Sequence, residues 1–350
     1  MPADWSERFV SRLRYGAAMT TVLLLGFGAI GRHVAQLLAP ELTSGALSLT
    51  ALVSDPTKHS DRPNHGAEVV DLAALADSSA AVSGAPSPRW FAPFDVIVEC
   101  AGVPAAARFG PAVVAAGRPL VLTSVGALAD PATRESLLAG PGRLRVTNGA
   151  IGGLDVLEAA AQADALETVE ITTSKEATGL IRPWMTEAEA ERLRRLRPED
   201  GPLTVFTGNP AEAIEKFPAN VNIAVALAWA TRGLPHGGPS PGTTAGTGTV
   251  VDTDASADGA SDKPAAPGAA AASDTAAAGD AALLEAALHR VRVDIHAVAG
   301  QPRSTHRIRA AGAAGEFAFD IRSTPSPENP ATSGLTALSV ARTLRQVLTG

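Results

Sequence analysis

The run Val22-Leu23-Leu24-Leu25-Gly26-Phe27-Gly28-Ala29-Ile30-Gly31 constrains this chain more than any other segment. Four apolar residues that end in glycine read as a short buried strand. The glycines at 26, 28 and 31 follow the G-x-G-x-x-G spacing. The first permits a tight turn, the second lets backbone approach a pyrophosphate, and the third lets the following helix pack close. A helical pattern over 29–39 follows, so a helix starting near Ala29 would aim free N–H groups at phosphate oxygens. A strand–helix turn without a ligand is the plainer alternative. The strand before and the helix after favour a dinucleotide site, with Gly26, Gly28, Ala29, Ile30 and Gly31 as its contacts. Gly-Ala-Ile-Gly returns at 149–152, where a first domain of average size would end. That placement suggests a cofactor gripped at both ends.

From 20 to 147, short apolar runs alternate with helical patterns. Strands are expected at 21–26, 47–53, 94–99, 119–124 and 143–147, and helices at 29–39, 71–76, 104–116 and 131–139. Such alternation means βαβ units and a parallel sheet, hence an α/β Rossmann-type domain over 20–147 after an N-terminal extension, 1–19. Beyond it the pattern changes. A helix at 153–164, a strand at 168–173, a helix at 186–196, a strand at 203–207 and helices at 210–216 and 219–231 are expected. Strands at 290–298, 304–310 and 316–322 then lead into an amphipathic last helix, 332–348. Residues 148–331 thus read as a mixed α+β substrate domain, with the last helix, to residue 350, packing back on the first domain. Residues 233–279 carry no aromatic side chain and hardly any large aliphatic one. Such a stretch buries too little apolar surface to offset the entropy of ordering, and is expected to be a flexible insertion; a partner-binding segment is the sharper alternative.

A formal net charge of −7 without a basic patch argues against nucleic acid as a partner. One cysteine, Cys100, rules out an internal disulfide and fits a reducing compartment; following the apolar run before it, it reads as inert packing. Met1–Tyr15 carries Asp4, Glu7, Arg8, Arg12 and Arg14 and lacks the apolar core of a secretory signal. No stretch reaches the ~20 apolar residues of a spanning helix. A soluble, cytoplasmic protein with no membrane partner is expected.

The second strand ends Leu52-Val53-Ser54-Asp55. An acidic tip would hold the adenosine ribose hydroxyls and favour NAD, the role open to Asp55. If Ser54 forms the tip, NADP is tolerated; Asp55 can also simply begin a turn with Pro56.

Four further segments, read with the fingerprint, resemble the L-aspartate dehydrogenase family. They are Asn148-Gly-Ala-Ile-Gly-Gly-Leu-Asp155, Ile171-Thr-Thr-Ser-Lys175, the run from Gly208-Asn-Pro-Ala-Glu to Asn220-Val-Asn222, and Glu328-Asn-Pro-Ala-Thr-Ser333. The likeness covers nearly everything outside the N-terminal extension and the 233–279 insertion. It implies a homodimer, with the second domain also serving dimerisation, that oxidises L-aspartate to iminoaspartate with NAD or NADP. The product either feeds NAD biosynthesis or hydrolyses to oxaloacetate and ammonia. By the same resemblance, Ala150 matches a backbone contact on the nicotinamide side and Asn222 a second cofactor contact. His306 matches the catalytic histidine of an Asn-x-His-x-Ile pattern, here Ser304-Thr-His-Arg-Ile308. The asparagine has become Ser304, the preceding Asp-Pro is Ala299-Gly300, and a lysine of the Asn-Pro-Lys-Thr-Ser motif is Ala331; these departures bear on substrate specificity.

The residues support the histidine independently. Of the seven histidines, only His296 and His306 fall on strands of the second half. His296 alternates with Arg292 and Asp294, a solvated face, whereas His306 alternates with Ile308 and should face packed structure or a cleft. An imidazole there suits general-base work. The two carboxylates of aspartate need cations or backbone donors; Lys175 is the first candidate, ahead of Arg182 and Lys216. No Cys/His/Asp cluster has metal-ligand spacing. Two other readings remain open. One is another amino- or hydroxy-acid dehydrogenase resembling homoserine dehydrogenase; the other is a non-catalytic dinucleotide sensor.

Overall fold

In β1 (Thr20–Leu25), Val22 and Leu24 face one side and Leu23 and Leu25 the other, and all four are buried. A strand apolar on both faces needs a covering layer on each side, the condition of a parallel sheet. The computed structural model, which describes residues 19–75, 86–217, 222–233 and 269–349, supplies both layers. β2 (Leu47–Val53), β3 (Glu68–Asp71), β4 (Val96–Glu99), β5 (Leu120–Leu122) and β6 (Leu144–Val146) join β1 in the order β3-β2-β1-β4-β5-β6. Every pairing is parallel. Strand order reverses between β1 and β4, which is the Rossmann arrangement with its ligand crevice at the carboxyl ends of those strands. β3 has no counterpart in the sequence expectation. Its Glu-Val-Val-Asp carries only two apolar residues, and the edge pairing with β2 supports it.

α1 (Ala29–Leu37) covers one face with Val34 and Ala35, and α2 (Val103–Ala115) covers the other with Phe109, Val113 and Val114. The chain then crosses to a second sheet through α3 (Leu154–Gln162). Here β7 (Thr168–Glu176), β8 (Leu203–Gly208), β9 (Arg292–Val298), β10 (Thr305–Gly312) and β11 (Gly315–Arg322) lie in the order β11-β10-β7-β9-β8. The β7–β9 pair is parallel and the others antiparallel. One face of this mixed sheet is apolar, through Val169, Ile171, Val293, Ile295, Ile308 and Ala310. It shares one apolar core with α4 (Asn222–Ala230), which is apolar nearly all round and accordingly buried. These residues and the lower face of the parallel sheet form one continuous core, so the two sheets are held at a fixed relation where they meet.

α5 (Ala269–Arg290) amends the expectation of an insertion reaching 279. Residues 269–279 are helical, and the same helix later buries Leu284, Ala287 and Leu288. The alanine-rich composition that cannot form a core is also the best helix former, and the packed end gives it an anchor. Residues 234–268, most of the N-terminal extension and the expected helix start at 219 lie outside the described residues. α6 (Gly334–Thr349) begins two residues later than its pattern suggests, because Asn329–Ser333 pairs as a strand with Pro325–Ser326. α6 sets Ala337, Val340 and Leu344 against the α1 side of the parallel sheet.

Candidate active site

The fingerprint loop has the shape its glycines suggest. Gly26 sits at φ +93°, where a Cβ would come 2.8 Å from that of Ala101, and a Cβ on Gly31 would lie 2.5 Å from the Gly26 carbonyl oxygen. A Cβ on Gly28 would meet no protein atom within 4 Å. What Gly28 keeps clear is therefore space outside the protein, at the N-terminus of α1. That helix has no side-chain cap and no acidic residue in its first turn, so the N–H groups of Ala29, Ile30 and Gly31 remain for an anion. The loop fits a dinucleotide pyrophosphate.

Beyond it, at the carboxyl ends of β4 and β5, lies a cavity of about 350 Å³. Ile30 of α1, the backbone at Ala101 and Gly102, and Thr123–Ser124 form the Rossmann side of its wall. Gly149, Ala150, Lys175, Asn222, Ser304 and His306 form the other. Five residues singled out from sequence, Ile30, Ala150, Lys175, Asn222 and His306, thus meet in one cavity although they span the chain.

His306 is the second residue of β10 and is 3% exposed. It is the cross-strand partner of Thr173 on β7, and Thr173 Oγ1 lies 3.2 Å from His306 Nδ1. Burial, reinforced by the charge of Lys175, lowers its pKa to about 4, so the imidazole is neutral at physiological pH. Lys175 stands two residues beyond Thr173 on the same face of β7. Burial and then the nearby Arg182 lower its pKa to about 8, so it is largely cationic at neutral pH. The side-chain oxygen of Asn222, at the start of α4, accepts from the Gly126 N–H at 2.8 Å. That bond orients the amide so that its Nδ2 donors are the end left for a ligand. Ser323 Oγ donates to the Ala150 carbonyl at 3.5 Å, tying the second Gly-Ala-Ile-Gly loop to the segment that directly follows β11.

Other candidates lie elsewhere. Asp55 caps its own turn: it accepts from the Thr57 N–H at 3.2 Å and hydroxyl at 2.5 Å and pairs with Lys58 at 3.3 Å. Arg182 spends its guanidinium on the carbonyls of Gly179 and Ile181 and on the ring of Phe217. Lys216 lies over Phe206. His296 is on the opposite face of the second sheet, with Arg303 and Arg307. Among the described residues no cluster of His, Cys, Asp or Glu could hold a metal ion.

Two residues escaped sequence reasoning. Glu99, at the end of β4, is fully buried and accepts from the N–H groups of Ala101, Gly102 and Ser124 and from the Ser124 hydroxyl, at 2.8–2.9 Å. Burial raises its pKa against the pull of these donors, and it fastens together the two loops that wall the cavity. The only sequence signal was a carboxylate closing an otherwise apolar strand. Thr173 is the other, hidden because strand pairing is not written in local pattern. Cys100, read as packing, lines the cavity, where burial and Glu99 raise its pKa and keep it a thiol.

Residues 155–236 and 270–347 match the family model described as aspartate dehydrogenase, C-terminal. An L-aspartate dehydrogenase of Ruegeria pomeroyi is 32% identical over 330 residues, spanning 93% of this chain and 91% of that one. The chain belongs to the L-aspartate dehydrogenase family. Another member, from Pseudomonas aeruginosa, is 28% identical over 333 residues, 93% of this chain and 97% of that one. The crystal structure of aspartate dehydrogenase from Thermotoga maritima shares the fold, with a TM-score of 0.55 at 22% identity over 95% of this chain and 98% of that one. Residues 26–141 match the model described as homoserine dehydrogenase, NAD binding domain. That label attaches to the dinucleotide half alone; the half carrying Lys175, Asn222 and His306 matches the aspartate dehydrogenase model. Of the stretch read as an insertion, residues 237–269 fall between the two parts of that match and most of α5 falls within it.

Proposed function

We infer that this protein oxidises L-aspartate to iminoaspartate with NAD or NADP. The observation that carries the reading is a neutral, buried His306 in the same cavity wall as a cationic Lys175, at the carboxyl ends of β4 and β5. The fingerprint loop and α1 would hold the pyrophosphate, and Ala150 and Asn222 the nicotinamide end. When bound, the dinucleotide supplies the hydride acceptor.

The chain's own residues do the rest. Loss of hydride from the α-carbon requires a neutral amine. With Nδ1 held by Thr173, His306 has Nε2 left to take the ammonium proton of bound aspartate. Lys175 holds a substrate carboxylate by charge, and Ser304, where the family pattern has asparagine, is a second donor on that wall. Once it has passed that proton on to solvent, the same imidazole can remove a proton from water as it adds to the imine and return it to the departing nitrogen, giving oxaloacetate and ammonia. Iminoaspartate that escapes hydrolysis is available to pyridine nucleotide synthesis. A homodimer is the assembly we propose, on the strength of the likeness to the L-aspartate dehydrogenases. The single cysteine supports a cytoplasmic setting.

The test is to follow reduced nicotinamide absorbance with purified protein, L-aspartate and either NAD or NADP. Turnover with aspartate that disappears in His306→Ala is expected. Turnover of another amino or hydroxy acid with none of aspartate overturns the reading.

A further inference from the structure

The segment between β11 and α6 is strung between the fingerprint and the second Gly-Ala-Ile-Gly loop. Pro325–Ser326 and Asn329–Ser333 pair as a short antiparallel hairpin, and the Gly334 N–H closes its base on the Thr324 carbonyl at 2.9 Å. Just before the base, Ser323 Oγ donates to the Ala150 carbonyl of the second loop. At the tip, Glu328 reaches Arg32 of α1. Its Oε2 accepts from Arg32 Nε at 2.7 Å and lies 2.6 Å from Arg32 Nη2. Arg32 Nη1 in turn donates to the carbonyl of Phe27, inside the fingerprint, at 3.0 Å.

The two ties differ in kind. Ser323 makes one neutral contact at 3.5 Å, whereas Arg32 is a buried cation, its side chain 7% exposed. Among the described residues, Glu328 is the one carboxylate within ion-pair distance of it. α1 itself has no acidic residue in its first turn. A buried guanidinium stripped of its counter-charge is costly, so this tie holds the hairpin tip to α1 more firmly than a surface pair would. Arg62 stands 3.9 Å from the same oxygen, but its side chain is 58% exposed and adds little.

Between its ties the hairpin carries one wall of the cavity. Pro325, Thr332 and Ser333 line it, as does Ile30, two residues before Arg32 on α1. Neither Glu328 nor Arg32 lines the cavity. The fingerprint keeps its own shape through the close packing at Gly26 and Gly31, so release of the hairpin would leave the pyrophosphate loop as it is.

We propose that Glu328, acting through Arg32, is a positioning residue for the substrate. It fixes the hairpin wall against α1, and the affinity for the amino acid depends on it while that for the dinucleotide does not. The inference rests on the reading of this cavity as the substrate site, and not on aspartate being the acid oxidised.

Steady-state kinetics on the full-length protein test it. Glu328→Ala should raise KM for aspartate about tenfold or more, with kcat and the KM for the dinucleotide within about twofold of the wild type. Glu328→Gln, which keeps an oxygen for Arg32 to donate to, should recover part of the loss. In an Arg32→Met background Glu328→Ala should add little, because the carboxylate works through that guanidinium. Arg62→Ala should change none of these values. An unchanged KM for aspartate in Glu328→Ala, a rise shared equally by the dinucleotide, or full additivity of the Arg32 and Glu328 losses would overturn the proposal. Hydrogen exchange gives a readout that needs no turnover. The backbone amides within 326–334 should exchange about tenfold or more faster in Glu328→Ala, with those of β1 unchanged; unaltered exchange also overturns the proposal. If another acid is oxidised in place of aspartate, the reading of the function fails, while the same split measured on that acid still decides the role of Glu328.

Discussion

Thr173 Oγ1 lies 3.2 Å from Nδ1 of His306, across the antiparallel pair of β7 and β10. The contact is compatible with the tautomer that the reaction needs. A base acting at Nε2 must carry its proton on Nδ1, and the threonine oxygen is placed to accept it. Thr173→Val keeps the shape of the side chain and removes that acceptor. A loss of about tenfold in kcat, with little change in KM for aspartate, is expected, the kinetic equivalent of one hydrogen bond. Steady-state kinetics with saturating cofactor check it.

The depressed pKa of His306 also makes a statement about stability. Its folded value, about 4, lies below the ordinary value near 6.5, so between those limits the unfolded chain binds the extra proton. The contribution is present above about pH 6.5 and is lost as pH falls through about 4, by roughly 3 kcal/mol across the window. Urea denaturation of the wild type and His306→Gln between those limits should give curves that diverge as pH rises. Parallel curves would mean that the ring is not buried in its neutral form.

Lys175 sets the opposite limit for substrate. Its pKa of about 8 means that the ammonium needed for a carboxylate is lost on mild alkalinisation, well below the range of an ordinary lysine. Binding of a dicarboxylate such as succinate to the cofactor-loaded protein should weaken above pH 8 in the wild type. In Lys175→Met it should be weaker by about tenfold below pH 8 and independent of pH over this range, so that the two proteins converge as pH rises. A fluorescence or calorimetric titration at several pH values measures both.

Glu99 accepts four hydrogen bonds and has no other role that its contacts suggest. In Glu99→Gln the amide nitrogen must oppose one of those donors, so one of the two loops is released. Because the loops wall the cavity near the dinucleotide, KM for NAD or NADP should rise several-fold while KM for aspartate changes less. Stability should fall by about 1–3 kcal/mol, the cost of leaving a buried donor unmatched. Stability without any change in cofactor KM would reduce Glu99 to a structural role.

Gly153 caps α3 at φ +77°, and a Cβ there would run into the ring of Phe319 on β11. Gly153→Ala combines left-handed strain with overpacking at the junction of the two sheets, and a loss of about 2–4 kcal/mol is expected. A shift of the urea midpoint measures it; Gly152→Ala, with no atom within 4 Å of the added carbon, is the control.

Local pattern carried much of the architecture. Period-2 and continuous apolar runs marked ten of the eleven strands of the two main sheets, and glycine spacing marked the dinucleotide loop. β3 was lost because two valines make no pattern, and the start of α5 because alanine in a low-complexity setting reads equally as helix or as loop. For the site, alternation with Ile308 was enough to separate His306 from His296. It could not supply Thr173, which becomes a neighbour only through the register of β7 and β10.

By itself, then, the chain's sequence determined the two kinds of sheet, the pyrophosphate loop and the short set of residues suited to base and cation roles. Each depends on chemistry within a few neighbouring residues. Only the tertiary structure decided which of those residues share a cavity and what charge they carry there. His306 is neutral because β7, β10 and the core bury it, and Lys175 holds its charge at neutral pH by a narrow margin because burial, then Arg182, disfavours the ammonium. Asp55, the residue an acidic strand tip would offer to a ribose, is taken up by Thr57 and Lys58 within its own turn. Desolvation and partner geometry are properties of the packed molecule, and no local segment of sequence contains them.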